Sequence, residues 1–413
     1  VKVALCCSNF PPEFAGGTEK VVAALAHALV AAGDEVVVIA GSDRAATGDA
    51  VQSAAVDGIL VHRIAKRADE PYDLDVSRPR IARLVRELLT QHGTECVHVH
   101  AWAGLCSSIL ADARADGRAG IATLHDLWVT CPRFFRRAPI GIACPAGAGR
   151  EECIDCVSRD LVGLSRAALA SRIAQRDAAL RRELLAAGCV TVPSRATARR
   201  VAEALDFRLP IEVVPHGLIG EVARRPDRPS VGDRSTAPIR VGHFGNLVPD
   251  KGVDLLVRAA AGVPGLELVL AGRFLDPAYE ESVRSLAKDL GVAIECRGPY
   301  GVDTPHPTES MDLAVFPSLC EETYGLVVDE ALAAGVPVLV SDKGALGERI
   351  GGAGLVVDVR DEHALHRELL RLATDRAALA ELTRAVPVRF PSIRDAVVRY
   401  RELYRVAVDA LAR

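Results

Sequence analysis

Short apolar, β-branched runs alternate along this chain with longer stretches whose apolar residues recur at helical spacing. Lys2 to Ser8, Glu35 to Ala40, Val56 to Ile64, Val97 to Val99, Ile121 to Leu124, Cys189 to Val192 and Ile211 to Val214 read as strands. Glu19 to Ala32, Pro79 to Gln91 and Ser194 to Leu205 read as helices, with Thr18 a candidate cap for the first. The pattern stops in a charged, Pro- and Ser-rich segment at 221–238 and then restarts. Strands Ile239 to Phe244, Leu266 to Ala271, Ala293 to Arg297, 312–317 and Pro337 to Val340 alternate with helices Val253 to Ala261, Pro277 to Leu290 and Leu326 to Ala334. A terminal helix begins at Ser392 and carries Tyr400 and Tyr404. Apolar strands alternating with helices predict parallel sheets covered on both faces, so the expected class is α/β in two domains.

Open sheets of this kind take their ligands at the carboxyl ends of the strands, so the loops there are the first places to look for chemistry. After the strand at 312–317, Glu322 and Glu330 stand eight positions apart across a turn and the first helical turns. Both can therefore face one crevice. The backbone N–H groups of Tyr324, Gly325 and Leu326 lie beside the helix start and suit a phosphate. Carboxylates flanking a phosphate site suit a ligand with both a diphosphate and hydroxyls; a solvated cap and an ordinary helix acid are the alternative. Gly245 to Gly252 places Lys251 in a glycine turn before a helix, again the arrangement of a phosphate site. Gly16 and Gly17 join the first strand to its helix without the spacing of a dinucleotide fingerprint, and a flexible turn is the alternative there. His125-Asp126 ends another strand, where a histidine is expected to be exposed to the crevice and to titrate near neutrality, or else to cap the next segment. His98 and His100 alternate with valines, which lets one of them face a cleft.

Composition changes this picture little. The chain has 413 residues, 49% of them hydrophobic, ample for two cores. A formal charge of -4 favours no polyanionic partner, and basic stretches lack the interleaved aromatics of nucleic-acid binding. Arg172, Arg176, Arg181 and Arg182 on one predicted helix read as a solvated face, with anionic lipid or a phosphorylated acceptor as the alternative. Cys131, Cys144, Cys153 and Cys156 fall in a Gly- and Pro-rich insertion, about 129–160, where no regular element is expected. Four thiolates there suit a tetrahedral zinc; free thiols and two disulfides are the alternatives. No window holds eighteen uninterrupted apolar residues, and the first residues read straight into a strand. Neither a membrane span nor a signal peptide is expected, and the expected location is the cytoplasm.

The stretch from Glu322 through Glu330-Ala331 to Pro337-Val338 closely resembles the E-x7-E signature and following E-A-x-A-x-G-x-P-V segment of the retaining, nucleotide-sugar-dependent glycosyltransferases of family 4, also called glycosyl transferases group 1. His125-Asp126-x-Trp128 is similar to that family's H-D motif, Pro215-His216-Gly217 to its P-x-G element, and Gly245 to Gly252 to its G-R-L-x-x-x-K-G motif with Asn246 in place of the arginine. The resemblance implies the GT-B fold, two Rossmann-like domains facing each other across a deep cleft. It implies an acceptor-side domain at 1–220 with the cysteine-bearing insertion, a nucleotide-sugar domain at 221–390, and a terminal helix at 391–413 crossing back to the first. Glu322 would reach donor sugar hydroxyls, Glu330 the nucleotide ribose, Lys251 the diphosphate and the amides around Gly325 the donor. Gly16 and Gly17 would lie against the donor diphosphate and acceptor, His125 would approach the donor sugar, and Arg273 is the candidate for the cation missing at Asn246. The implied reaction moves a sugar from a nucleoside diphosphate sugar to a hydroxyl of a sugar, lipid or small-molecule acceptor, with peripheral contact with a membrane. It requires no cofactor beyond that co-substrate. A non-catalytic nucleotide-sugar-binding subunit and another enzyme of the fold, such as a sugar-nucleotide epimerase, are the alternatives.

Overall fold

The computed structural model describes residues 1–44, 51–67, 77–134, 136, 144, 150–159, 163–224, 237–301, 304–361 and 363–411. Its chain forms two compact units, one of Val1–Ile219 with Pro391–Arg413 and one of Gly220–Phe390. The first runs β1 (Lys2–Cys7), α1 (Gly17–Ala31), β2 (Glu35–Ser42), β3 (Val51–Val56), β4 (Ile59–Ala65), α2 (Pro79–Gln91), β5 (Cys96–Val99), α3 (Ile109–Ala115), β6 (Ala119–Thr123), α4 (Arg150–Ser158), α5 (Arg166–Ala186), β7 (Cys189–Val192), α6 (Arg195–Ala204) and β8 (Ile211–Val213). Its eight-stranded sheet has the order β3-β4-β2-β1-β5-β6-β7-β8. Every pairing is parallel except that of β3 with β4. From β1 the chain goes first to β2 on one side and later to β5 on the other. That reversal opens a crevice at the carboxyl ends of β1 and β5, the usual seat of a ligand.

Three local features depart from the expectations above. Helix α1 begins at Gly17, so Thr18 lies inside it, and Gly16 takes the cap position with extended backbone and no capping side chain. The strand expected over Val56 to Ile64 is an antiparallel hairpin, turning at Asp57 and Gly58 with φ of 47° and 83°. Two successive positive φ values are the mark of the tight turn that matches strand twist. Short α3 has no capping side chain of its own; its first amides, from Leu110 and Ala111, donate to the buried carboxylate of Glu183 on α5 at 2.9 and 3.0 Å. A distant residue thus supplies the cap that the local sequence lacks.

The terminal helix Ile393–Leu411 belongs to this first unit and buries Tyr400, Leu403 and Tyr404 against Leu25, Leu29 and Ile121. Arg401 reaches buried Asp34 at 2.8 Å, and the Tyr404 hydroxyl lies 2.7 Å from His98 Nδ1.

The second unit runs β9 (Ile239–Phe244), α7 (Val253–Ala260), β10 (Leu266–Ala271), α8 (Pro277–Asp289), β11 (Ile294–Gly298), β12 (Leu313–Phe316), α9 (Leu326–Ala333), β13 (Val338–Ser341), β14 (Gly354–Val357), α10 (Ala364–Thr374) and α11 (Arg376–Arg384). Its six strands are all parallel, in the order β11-β10-β9-β12-β13-β14. Here the reversal lies between β9 and β12. The loops after β9 and β10 touch: at Gly272, φ 136°, an added Cβ would stand 1.8 Å from the carbonyl oxygen of Gly245, so no side chain fits.

Docking of the terminal helix generates a prediction. Tyr404→Phe removes the partner of buried His98 Nδ1 while keeping the ring, and should destabilise the first unit by about 1–3 kcal/mol. Denaturant unfolding followed by a probe in that unit measures it; an unchanged midpoint would contradict the role given to the hydroxyl.

Candidate active site

In the second unit the side chains singled out above gather at the switch point between β9 and β12. Lys251 ends a short 3-10 turn, Pro249–Lys251, just after β9, and Glu322 sits in the loop after β12. The Lys251 ammonium donates to Glu322 Oε1 at 2.5 Å, and the Ser318 hydroxyl donates to the same oxygen at 2.7 Å. Lys251 is therefore one half of a mostly buried ion pair rather than a lone cation. Burial pushes the Glu322 carboxyl up, but the adjacent ammonium and the Ser318 hydroxyl outweigh it and hold the pKa below the ordinary value. The same attraction overcomes burial at Lys251, whose pKa is raised. Both groups stay charged.

Glu330 lies in α9, and its Oε2 is buried with no hydrogen-bond partner; the nearest base is His306 Nε2 at 3.7 Å. Tyr300 and His306 stand edge-on to each other and to Phe244, forming an aromatic wall beside that carboxylate. Helix α9 opens at Gly325, φ 82°, and no side chain accepts a capping hydrogen bond from the amides at its start. Tyr324 is spent on holding this turn: its hydroxyl donates to Asp329 Oδ2 at 2.7 Å, and Arg349 lies 3.8 Å from its ring centre while bonding Asp329 and the Tyr324 carbonyl. Leu326 is the first residue of the helix. Asn246 and Arg273 are both exposed and lie on adjoining loops, the Leu247 amide donating to the Arg273 carbonyl at 2.9 Å. Ser318 and Arg349 were not legible as site residues. The one available signal was Ser318 four positions before Glu322.

In the first unit the surprise is His125. Instead of facing solvent it is buried, with Nε2 2.7 Å from His100 Nδ1 and Nδ1 3.2 Å from His216 Nε2. His100 also stacks on His98 with ring centres 3.9 Å apart, and His98 bonds Tyr404 and Thr123. Burial drives these rings neutral: His125 falls to about 3, and His98 and His100 lie well below the ordinary value, with the neighbouring imidazoles adding to the effect. Asp126 is also enclosed. Burial lifts its carboxyl to about 6, against the pull of the Trp128 amide, which donates to Oδ1 at 2.8 Å, and of Arg176.

Arg176 is not on a solvated face: it is fully buried, with its guanidinium 4.5 Å from the centre of the Trp128 ring. Gly16 and Gly17 open α1, where buried Glu19 already occupies the first turn. Burial raises the Glu19 carboxyl and the nearby Asp126 charge adds to that, so this helix start carries its own acid.

Cys153 and Cys156 lie on α4, a regular element the insertion was not expected to contain; it forms because Ile154 and Val157 pack on Leu169 and Ile173 of α5. Cys131 and Cys144 are near enough to add, after burial, to a Cys156 pKa pushed up to about 11. Among the described residues no group of three or more His, Cys, Asp or Glu side chains is arranged to hold a metal ion. Positions 135, 137–143, 145–149 and 160 of the insertion lie outside the described residues.

Residues 15–219 match the family model Glycosyltransferase Family 4, and residues 238–375 match Glycosyl transferases group 1. The chain belongs to glycosyltransferase family 4. This family 4 chain is 29% identical to a GDP-mannose-dependent alpha-mannosyltransferase of Mycobacterium tuberculosis, with 98% of this chain and 97% of that protein covered. It is 33% identical over 45% of its length to the GDP-mannose-dependent alpha-(1-6)-phosphatidylinositol monomannoside mannosyltransferase of Mycolicibacterium smegmatis, and spans only about half, 53%, of that relative. Among solved structures, sucrose-phosphate synthase of Thermosynechococcus elongatus has a TM-score of 0.70 at 19% identity, covering 99% of this chain and 100% of that one. Anabaena HepE in complex with UDP and glucose has a TM-score of 0.61 at 17% identity, covering 99% and 98%. The fold of this family 4 member is therefore GT-B, built of two Rossmann-like domains.

The buried imidazoles generate a pH prediction. Each has a folded pKa below its unfolded value of about 6.5, so its contribution is whole above that pH and is lost as pH falls. From pH 6.5 to 5 each costs roughly 2 kcal/mol, at about 1.4 kcal/mol per unit. The buried carboxyls Asp126, raised to about 6, Glu19 and Glu183 work in the opposite sense as pH falls and offset part of that loss. Stability of the first unit should be level between about pH 7 and 8 and should fall as pH drops to 5. A level profile from pH 7.5 to 5 in chemical denaturation would contradict the neutral, buried state of these histidines.

Proposed function

We propose that this protein is a retaining glycosyltransferase that moves a sugar from a nucleoside diphosphate sugar to a hydroxyl of a sugar, lipid or small-molecule acceptor. The observation that carries the reading is the Lys251–Glu322 pair after β9 and β12, with Glu330 on the helix that follows and its buried oxygen without a hydrogen-bond partner. A ligand with phosphates and hydroxyls satisfies all three: phosphate on Lys251 and on the amides at Gly325 and Leu326, a sugar hydroxyl on Glu322, a ribose hydroxyl on Glu330. Donor recognition is assigned to the 221–390 domain and the acceptor to 1–220.

In this reading Lys251 and the α9 amides stabilise charge on the departing diphosphate. Glu322 positions the sugar and supports its developing positive charge. The acceptor hydroxyl attacks from the face the diphosphate leaves, and a leaving phosphate oxygen takes its proton. His125, both of whose ring nitrogens are engaged by histidines, serves the reaction by its placement rather than through a free nitrogen. The GDP-mannose dependence printed for the mycobacterial relatives makes GDP-mannose the first donor to try. We place the protein in the cytoplasm with peripheral membrane contact, in keeping with the lipid acceptor in a relative's name and with the fact that no described helix is long and apolar enough to cross a membrane. Zinc on Cys131, Cys144, Cys153 and Cys156 remains part of the proposal; metal analysis of the purified protein should find about one zinc per chain, and its absence with two disulfides would remove it.

A panel of UDP, GDP, ADP and dTDP hexoses, scored by released nucleotide and by melting shift, tests the activity. Turnover with one donor is expected; stoichiometric binding without turnover of any would identify a nucleotide-sugar-binding subunit instead. Lys251→Ala should weaken nucleoside diphosphate binding by about 1.5–3 kcal/mol. Because the substitution strands Glu322 as a buried carboxylate facing phosphate, adding Glu322→Gln should restore part of that loss. Calorimetry showing unchanged affinity in K251A would remove Lys251 from the site.

A further inference from the structure

The loop between β1 and α1, residues 8–16, borders the crevice at the carboxyl end of β1 in the first unit. Its two phenylalanines part ways. Phe10 is 1% exposed and packs in the core with Val22, Leu25 and Val38, whereas Phe14 is 49% exposed. A single exposed apolar residue is ordinary on a protein surface. This one is set apart by how firmly its loop is held and by the group that stands beside it.

The loop is tied to the carboxyl ends of β2 and β4. From β4 the buried Arg63 guanidinium donates through Nη2 to the carbonyls of Phe10 and Pro11 at 3.3 and 2.7 Å, and its Nε lies 3.6 Å from Glu13 Oε2. Glu13 Oε1 in turn accepts from the Ser42 hydroxyl at the end of β2 and from the Asp43 amide, at 2.6 and 2.9 Å. The chain leading into Phe14 is thus fixed to the sheet. A ligand that uses the ring meets it already presented, without first having to order the loop.

A Cβ added to Gly16 would stand 2.6 Å from Glu19 Oε2 and 2.8 Å from Phe14 Cε1, so a carboxylate and a ring edge meet over this one glycine. Glu19 keeps 7% of its surface exposed; its carboxylate faces the amides of Gly16 and of its own residue, and the Asp126 charge just beyond β6 is near enough to act on it. With about four lone-pair positions, a carboxylate so engaged still has room for a hydroxyl. An aromatic face with a carboxylate at its edge fits a sugar ring, whose C–H groups meet the electron-rich face while a hydroxyl donates to the acid. An acyl chain offers the carboxylate nothing, and a phosphate meets the like charges of Glu19 and Asp126. We propose that Phe14 is a binding residue that stacks on a sugar ring of the acceptor, that Glu19 accepts one of that sugar's hydroxyls, and that Arg63 is a positioning residue holding the loop that presents the ring. The name acceptor for that sugar rests on the glycosyl-transfer reading, while the contact itself needs only the first unit.

Saturation-transfer NMR with the methyl glycosides of mannose, glucose, galactose and N-acetylglucosamine tests the contact without donor or turnover. At least one should bind, with the C–H protons of one sugar face taking most of the saturation; if none of them binds, the proposal falls. Phe14→Ala should weaken that glycoside by about three- to tenfold and leave nucleoside diphosphate affinity within about twofold of wild type. Phe14→Tyr should bind as wild type does and Phe14→Leu should not, because leucine keeps apolar bulk without a ring face. A leucine variant as tight as wild type would overturn the stacking. Glu19→Ala should also weaken the glycoside, and unchanged affinity would remove Glu19 from the contact. Arg63→Met should weaken it as Phe14→Ala does, and the double variant should be no weaker than Phe14→Ala alone; losses that add would end the positioning role of Arg63. Glycoside binding at Phe14 without turnover of any nucleotide sugar would refute the transfer reading and leave the sugar contact standing, whereas turnover with no glycoside at Phe14 would do the reverse.

Discussion

The ion pair between Lys251 and Glu322 is where three loops of the second unit are tied together. The turn after β9 brings Lys251, the loop after β12 brings Glu322, and the Leu319 amide donates to the Asp250 carbonyl at 2.9 Å to couple the two. The loop after β13 closes on the same point. The Ala345 amide donates to the Glu322 carbonyl at 2.8 Å, and an added Cβ on Gly344 would stand 2.0 Å from that oxygen. Two charges drawn out of water are tolerable only together, since removing one leaves the other uncompensated. The pair thus keeps the crevice in order while the donor is absent. In the proposed function a ligand carrying phosphate and hydroxyl would offer each member a new partner.

The first unit solves its own burial problem with neutral groups. His100, His125 and His216 lie just beyond β5, β6 and β8, while His98 lies within β5 and packs against Tyr400 and Tyr404 of the terminal helix. Burial keeps His98, His100 and His125 uncharged, and hydrogen bonds to one another, to His216, to Thr123 and to Tyr404 engage each of their ring nitrogens except His100 Nε2.

Much of the fold was legible because apolar period reports burial directly. Pro79 to Gln91, Cys189 to Val192, Ile239 to Phe244 and Leu266 to Ala271 form elements at those residues. What period does not carry is the partner of a polar side chain. The bond of His98 to Tyr404 joins residues 306 apart, Glu183 caps a helix 72 and 73 positions away, and Arg176 reads as a surface arginine until Trp128 and Asp126 are seen around it. The β3–β4 hairpin had a local signal, Asp57-Gly58, hidden inside an apolar run that looked continuous. At the site, Glu322, Glu330 and Lys251 could be picked from spacing and glycine turns, whereas their charge pairing, and the seclusion of His125, depended on contacts between distant segments.

The central claim is retaining transfer from a nucleotide sugar, and the configuration of the new glycosidic bond tests it most directly. Proton NMR of the product formed from an α-linked donor should show an α-linkage, because attack occurs on the face the diphosphate leaves. A β-linked product would contradict the account, even with the GT-B fold and the Lys251–Glu322 pair intact.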